Sequence, residues 1–353
     1  MKTHRDICIS FAFLLTILSA CSQEVPAENV SNNTKYTLFY PTQKDSAEQY
    51  AKTKSIFIEK NPNDTAFTLN EAGLILYDQR KFDAAILYYS KSLEVRPYSH
   101  VYDNRANARL IQQDTVGAFE DYNMAILTDS LNPSPYFNRA NLLTAQKKYL
   151  MALVDYNHAL LAKSKTDKYV FKISDIFINR GNALFYLKDY SSAIKDYSEA
   201  LKSDSKNLMA YANRADSRYR QGDYIGAIDD YSQAILINPE AEFYFNRATN
   251  YLNIDKYAEA IADLNHVIAA NSTFYDGYYM RSQANGRSGN YLEAIKDLDK
   301  MVQLQPDNPL GYYLRGYTYV VFLQNREKGC PDLRQAKKMG DADADSLLKE
   351  YCK

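Results

Sequence analysis

Tryptophan is absent from this 353-residue chain, histidine and cysteine occur only 4 times each, and glycine and proline are scarce at 12 and 10. So few backbone breakers, beside 46% hydrophobic residues, fit a helical protein with a large total buried surface. Neither sign of charge is in excess: 42 Lys and Arg stand against 43 Asp and Glu, a net charge of -1. No acidic or basic tail breaks that balance, so neither nucleic acid nor an anionic membrane surface is suggested as a partner. His4, His100, His158 and His266 fall into no metal-ligand or triad-like local motif, and no glycine-rich loop is placed to cradle a phosphate. Catalysis, a bound metal and a cofactor have no local support, and a binding protein is expected rather than an enzyme. What the chain has in abundance is tyrosine, at 32 residues.

The start of the chain carries one apolar run. Lys2 and Arg5 precede Ile7 to Leu18, a stretch too short to span a bilayer comfortably as a permanent helix. It ends in Leu18-Ser19-Ala20-Cys21, small residues directly before a cysteine. This resembles the bacterial lipoprotein signal, in which cleavage precedes the cysteine and the thiol is acylated. An ordinary secretory signal beside a chance cysteine is the alternative. The resemblance implies a signal peptide over 1-20, Cys21 as the lipid anchor, and enough acyl chains for stable anchoring. Residues 21-44 then read as the acylated cysteine and a polar tether, with Pro26 and Ser31-Asn32-Asn33-Thr34 within it. Ser22 after the cysteine favours the outer membrane, by analogy with the best-known sorting rule. The expected location is the bacterial cell envelope, with the membrane reached through the N-terminal lipid only.

Beyond the tether one pattern recurs: aromatic, any residue, Asn, Arg, small residue. An Ala follows twelve residues after the small one, and an aromatic or Leu four later. Clear copies are Tyr102 to Ala106, Tyr136 to Ala140, Phe177 to Gly181, Tyr211 to Ala215 and Tyr244 to Ala248; Tyr278 to Ser282 and Tyr312 to Gly316 are looser. Counting an earlier copy at Gly73, the small residues stand at 73, 106, 140, 181, 215, 248, 282 and 316, spaced 33, 34, 41, 34, 33, 34 and 34. Gly73 is followed by Ala85, Tyr89 and Pro97, and Ala215 by Ala227, Tyr231 and Pro239. The pattern resembles the tetratricopeptide repeat, whose period is about 34 residues. The resemblance covers residues 45 to 353.

That resemblance implies an all-α, right-handed superhelical solenoid of about eight helix-turn-helix repeats, with first helices lining a concave groove and capping helices at both ends. The array is expected over 66-340, with repeats near 66-98, 99-132, 133-173, 174-207, 208-240, 241-274, 275-308 and 309-340. Caps are expected over 45-65, centred on Ala47 to Glu59, and over 341-353. Gly222-Asp223-Tyr224 and Gly289-Asn290-Tyr291 supply turns. The 41-residue spacing leaves extra residues near Lys163 to Ile173, read as a longer loop or extended helix in preference to a break. Arg109, Arg218 and Asn285 stand where an aromatic is usual, so packing must differ there.

Two sets of residues recur with the repeat. Arg105, Arg139, Arg180, Arg214, Arg247 and Arg281 each meet an acid sixteen residues on: Asp121, Asp155, Asp196, Asp230, Asp263 and Asp297. Arg315 meets Asp332 with a one-residue slip, and the Gly73 repeat lacks both partners, having Ala72 and Tyr88. Joint presence and joint absence point to a partly buried, structural ion-pair ladder between the two helices of a repeat. Asn104, Asn138, Asn179, Asn213 and Asn246 share one repeat position that faces the groove in the family. Asn107, Asn141 and Asn182 lie three residues on, on the same helical face. An amide there can donate to and accept from an extended peptide backbone. The set resembles the asparagine ladder of O-linked N-acetylglucosamine transferase, whereas the full carboxylate clamp of chaperone-tail-binding domains is not found.

Most tyrosines fall at packing positions, with Tyr279, Tyr313 and Phe245 best placed to reach the groove. Cys330 and Cys352 lie 22 apart in a chain read as exported, so a disulfide is expected to pin the closing helix, contributing about 3 kcal/mol. These readings converge on a non-catalytic scaffold holding a protein or extended peptide. A structural subunit of an outer-membrane assembly and a glycan-binding surface lipoprotein are the alternatives.

Overall fold

The computed structural model describes residues 65–166 and 171–353. The expected signal peptide, Cys21, tether and N-terminal cap lie outside these residues. Seventeen α-helices and no strand occur among the described residues. In chain order they pair as α1 (Thr65–Asp78) with α2 (Phe82–Val95), α3 (Ser99–Ile111) with α4 (Thr115–Thr128), and α5 (Pro133–Ala145) with α6 (Tyr149–Lys165). Then come α7 (Ile173–Tyr186) with α8 (Tyr190–Ser203), α9 (Leu208–Gln221) with α10 (Tyr224–Ile237), and α11 (Ala241–Asn253) with α12 (Tyr257–Ala270). The last pairs are α13 (Tyr275–Arg287) with α14 (Tyr291–Leu304) and α15 (Pro309–Tyr317) with α16 (Arg326–Lys338), followed by α17 (Asp343–Tyr351). Each helix packs on the next along the chain, which is the tetratricopeptide solenoid that the period implies.

Local chemistry sets the helix ends. Asp114, Asn132, Asp189, Asn207, Asp223 and Asn308 accept from backbone N–H groups in the first turn of the helix each precedes. Between the two helices of a repeat the chain reverses through one left-handed residue. Gly222 and Gly289 hold it at φ 81° and 82°, but Arg80, Gln113, Lys147, Lys188 and Asp255 occupy the same place at 58° to 63°. A side chain there is strained. Replacing Lys147 and Lys188 by glycine is expected to stabilise the fold by about 0.5–1 kcal/mol per site, after allowing for glycine's larger unfolded-state entropy. A urea midpoint that does not rise would show that the strain is already relieved.

The repeat core follows from one large and one small residue. Tyr89, Tyr122, Tyr156, Tyr197 and Tyr231 are almost wholly buried, each on the second helix of its pair. They press on the small residue of the first helix: a Cβ on Gly73 would lie 2.5 Å from Tyr89, and one on Gly181 2.8 Å from Tyr197. Leu264, Leu298 and Leu333 take the tyrosine's place in the last three repeats.

Two departures from the period have local causes. At 17 residues α6 outruns the 14 of α4, Phe171 beyond it meets Phe137 of α5 edge-on at 5.1 Å, and α6 packs on α7 as the other neighbours do. In the last repeat a π-turn over Thr318–Phe322 follows α15. A wider turn takes up one additional residue, which accounts for the slip between Arg315 and Asp332. Gly316 and Gly329 let α15 and α16 approach there, since a Cβ on either would meet the other's carbonyl oxygen at 3.0 and 2.8 Å. A Cys330–Cys352 disulfide ties α17 to α16, and Ala344 and Leu347 of α17 are buried beside Leu333 and Tyr313.

Candidate functional site

The charged groups between paired helices are positioned first. Arg105 donates from Nε and Nη2 to the two oxygens of Asp121 at 2.9 and 2.7 Å. The same two-pronged contact joins Arg139 to Asp155, Arg180 to Asp196, Arg214 to Asp230, Arg247 to Asp263, Arg281 to Asp297 and Arg315 to Asp332. The acids are buried, at 2% to 9% exposure, and the guanidiniums lie over aromatic rings such as Tyr102, Phe177, Tyr211, Tyr244, Tyr278 and Tyr312. At Asp196 and Asp297 burial outweighs the arginine, and the carboxyl stays above its ordinary range.

The third guanidinium nitrogen makes a contact that sequence reasoning missed. Nη1 reaches back to the second helix of the preceding repeat. Arg105 finds Ser90, Arg139 Asn123, Arg180 Asn157, Arg214 Ser198, Arg247 Ser232, Arg281 Asn265 and Arg315 Asp299. Each arginine therefore fastens two repeats together. A signal was present, because Ser, Asn or Asp recurs five residues after the recurring Ala of the second helix in these seven repeats. Arg109, Arg218 and Asn285, which displace the usual aromatic, are further donors to the same acids, to Asp121, Asp230 and Asp297. Arg109 and Arg218 also hold the carbonyls of Gly117 and Gly226, both at 3.0 Å.

The asparagines form two rows with opposite hydrogen bonding. In the first row Asn104 Nδ2 donates to Asn70 at 3.1 Å, Asn138 to Asp103 at 2.9 Å and Asn213 to Asn182 at 2.9 Å, each partner on the preceding first helix. Asn179, just after the longer connection, turns to its own helix and the Asp175 carbonyl at 3.0 Å, while Asn246 lies near the Tyr231 hydroxyl. In the second row the amide oxygen accepts the buried tyrosine hydroxyl: Asn107 from Tyr122, Asn141 from Tyr156 and Asn182 from Tyr197, at 2.7, 2.7 and 2.8 Å. All eight amides are partly exposed. Among the described residues nothing donates to the first-row oxygens of Asn104, Asn138, Asn179 and Asn213. Nothing accepts from the second-row NH2 groups. The face thus presents an acceptor and, one helical turn on, a donor.

Two acids interrupt this face. Asp216 occupies the second-row position in its repeat and takes the Tyr231 hydroxyl as the asparagines do. Burial first, and then the nearby Glu242, push its carboxyl up to about 6 against the pull of Tyr231 and Arg220. Burial likewise raises Asp103 to about 6, opposed by hydrogen bonds from Ser134 and Asn138. The aromatics expected to reach the face divide. Tyr279 and Phe245 are partly exposed, but Tyr313 is a correction: it is 4% exposed, packed under α17 beside Tyr317 and Leu347. Sequence position alone did not show that the closing helix covers it. No group of three His, Cys, Asp or Glu among the described residues is placed to hold a metal ion, and none of the described helices is long and apolar enough to cross a membrane.

Family models described as tetratricopeptide repeat match residues 68–99, 174–207, 209–241 and 245–309. No curated protein matches the chain in sequence. Similar solved structures include the C-terminal part of a TPR repeat-containing protein from Cytophaga hutchinsonii, with 19% identity and a TM-score of 0.59 over 69% of this chain and 98% of that one. PilF of Pseudomonas aeruginosa aligns with 18% identity and a TM-score of 0.51 over 60% and 95%. YrrB, described as a TPR protein with an unusual peptide-binding site, aligns with 22% identity and a TM-score of 0.50 over 56% and 98%. At these identities the likeness speaks to the fold alone.

Proposed function

From the premise that this chain is a tetratricopeptide repeat protein, a fold of protein-interaction scaffolds, we propose that it is a non-catalytic scaffold of the bacterial cell envelope. It is held to the outer membrane by acylated Cys21 and grips an extended peptide along its first-helix face. The observation that carries the reading is the pair of amide rows. Internal hydrogen bonds fix how each side chain is turned, leaving a free oxygen in one row and a free NH2 in the next. Residues three apart on a helix lie about 5–6 Å from one another, a spacing at which both can engage a peptide backbone. Asp216 adds weight, because an acid there is harder to bury than the asparagine found at the same place in three other repeats.

The test is a mild crosslinking pull-down from the native envelope, comparing wild type with Asn138→Ala/Asn179→Ala/Asn213→Ala. Three lost contacts of about 1 kcal/mol each are expected to weaken capture of the partner by about a hundredfold, with helicity unchanged. If the folded triple variant still captures the same partner, the amides are not the binding site and the reading fails.

A further inference from the structure

The outer faces of the second helices differ from repeat to repeat. On α4 four positions in register are Val116, Glu120, Met124 and Leu127, and on α6 they are Leu150, Val154, His158 and Leu161. All eight side chains are exposed, Leu127 at 78% and Leu150 at 71%. The same four positions carry Ser191, Lys195, Glu199 and Lys202 on α8, and Leu292, Lys296, Lys300 and Gln303 on α14. On α10 the positions carry Ile225, Asp229, Gln233 and Leu236, so three large apolar side chains among the four occur only on α4 and α6 among the described second helices. The two stripes are neighbours, because Arg139 holds Asn123 of α4 and Asp155 of α6 at once. Each has one ionisable group in the middle of its length: a carboxylate on α4 and an imidazole on α6. Neither Glu120 nor His158 has a charged partner among the described residues, although His158 rests on the Tyr136 ring.

We propose that this face is where two copies of the chain associate, α4 of one copy lying along α6 of the other about a two-fold axis. Polar complementarity decides the occupant. A two-fold axis that lays the stripes on one another sets the Glu120 carboxylate against the second copy's His158 imidazole, an acceptor against a ring N–H donor, twice, and no two carboxylates meet. A strongly charged partner finds a single carboxylate to engage, and a purely apolar one leaves Glu120 covered with no donor. Two adjacent helices of 14 and 17 residues offer a surface about 20 Å by 20 Å, roughly 400 Å² per copy. The roughly 800 Å² this buries in total falls short of the ~1,200 Å² of stable specific interfaces, so the association is weak and is favoured when copies are concentrated. It leaves the amide-bearing face of each copy free and does not depend on what that face binds.

The test uses full-length chains in their own membrane. A copy with Glu120→Cys and one tag is co-expressed with a copy carrying His158→Cys and another tag, and both are exposed to a mild oxidant. A disulfide-linked dimer bearing both tags is expected, in a yield about tenfold or more above a control pair with Lys195→Cys and Glu199→Cys on α8. Adding Val116→Lys and Leu150→Lys to both copies is expected to return the yield to the control level, with helicity preserved because both positions are exposed. A yield equal to the control overturns the proposal, as does a yield that the lysines leave unchanged. Crosslinking of either cysteine to a different protein in place of the second copy also overturns it and assigns the face to that partner.

Discussion

Arg247→Met is expected to lower the unfolding free energy by about 3 kcal/mol, and Arg214→Met by about half as much. The two arginines sit alike, with side chains 18% and 16% exposed and paired acids nearly buried. Each makes the two-pronged contact with its own acid and one contact to a serine of the preceding repeat, Ser232 or Ser198, both at 2.9 Å. They differ in what remains afterwards. Among the described residues only Arg247 gives Asp263 side-chain donors, so removing that arginine leaves a buried carboxylate uncompensated. Asp230 keeps Arg218, whose Nη1 lies 2.7 Å away. Methionine preserves much of the arginine's stem, which limits the packing loss. Urea denaturation of the two variants, with hydrogen exchange of α11–α12 and α9–α10 as a local readout, measures the difference. Equal losses would show that Arg218 offers no support to Asp230.

Asp216→Asn is expected to stabilise the protein at pH 7, by about 2 kcal/mol. The Asp216 carboxyl titrates near 6 in the fold against 3.8 for the ordinary group. A shift of about two units corresponds to nearly 3 kcal/mol at most, reduced here because the side chain is partly exposed. The sign follows from proton binding. Between about 4 and 6 the folded state holds more protons than the unfolded one, so this group's contribution is fully present below about 4 and lost as pH rises through 6. The asparagine has no such loss and keeps an oxygen for the Tyr231 hydroxyl, as Asn107, Asn141 and Asn182 do for theirs. Wild type and variant should therefore converge in stability below pH 4 and separate above 6. Thermal melts at pH 4, 5, 6 and 7 measure this, and a constant difference across that range would refute it. If the variant is more stable yet captures less partner, the acid belongs to the binding face.

The helical solenoid is legible in the residues because stacking makes the same demand at every repeat. A small residue must face a large one at fixed spacing, as Gly73 faces Tyr89 and Gly181 faces Tyr197, so the pattern recurs every 33 or 34 residues. The correlation of arginine with aspartate sixteen residues on is legible for the same reason, since both belong to one repeat. Contacts between repeats are harder to read. The reach of Arg105 to Ser90 joins residues whose relation depends on how far one repeat is rotated against the last. Likewise, the burial of Tyr313 depends on α17 folding back over it.

Sequence by itself determines the period, the helix ends and the residues that fill each pair, because these follow from local chemistry and a repeated steric rule. Tertiary structure alone decides which atoms stay free. The asparagines are identical as letters, yet one row is left with an acceptor and the other with a donor. Their neighbours, an acceptor oxygen in one case and a buried tyrosine hydroxyl in the other, are chosen by packing in three dimensions.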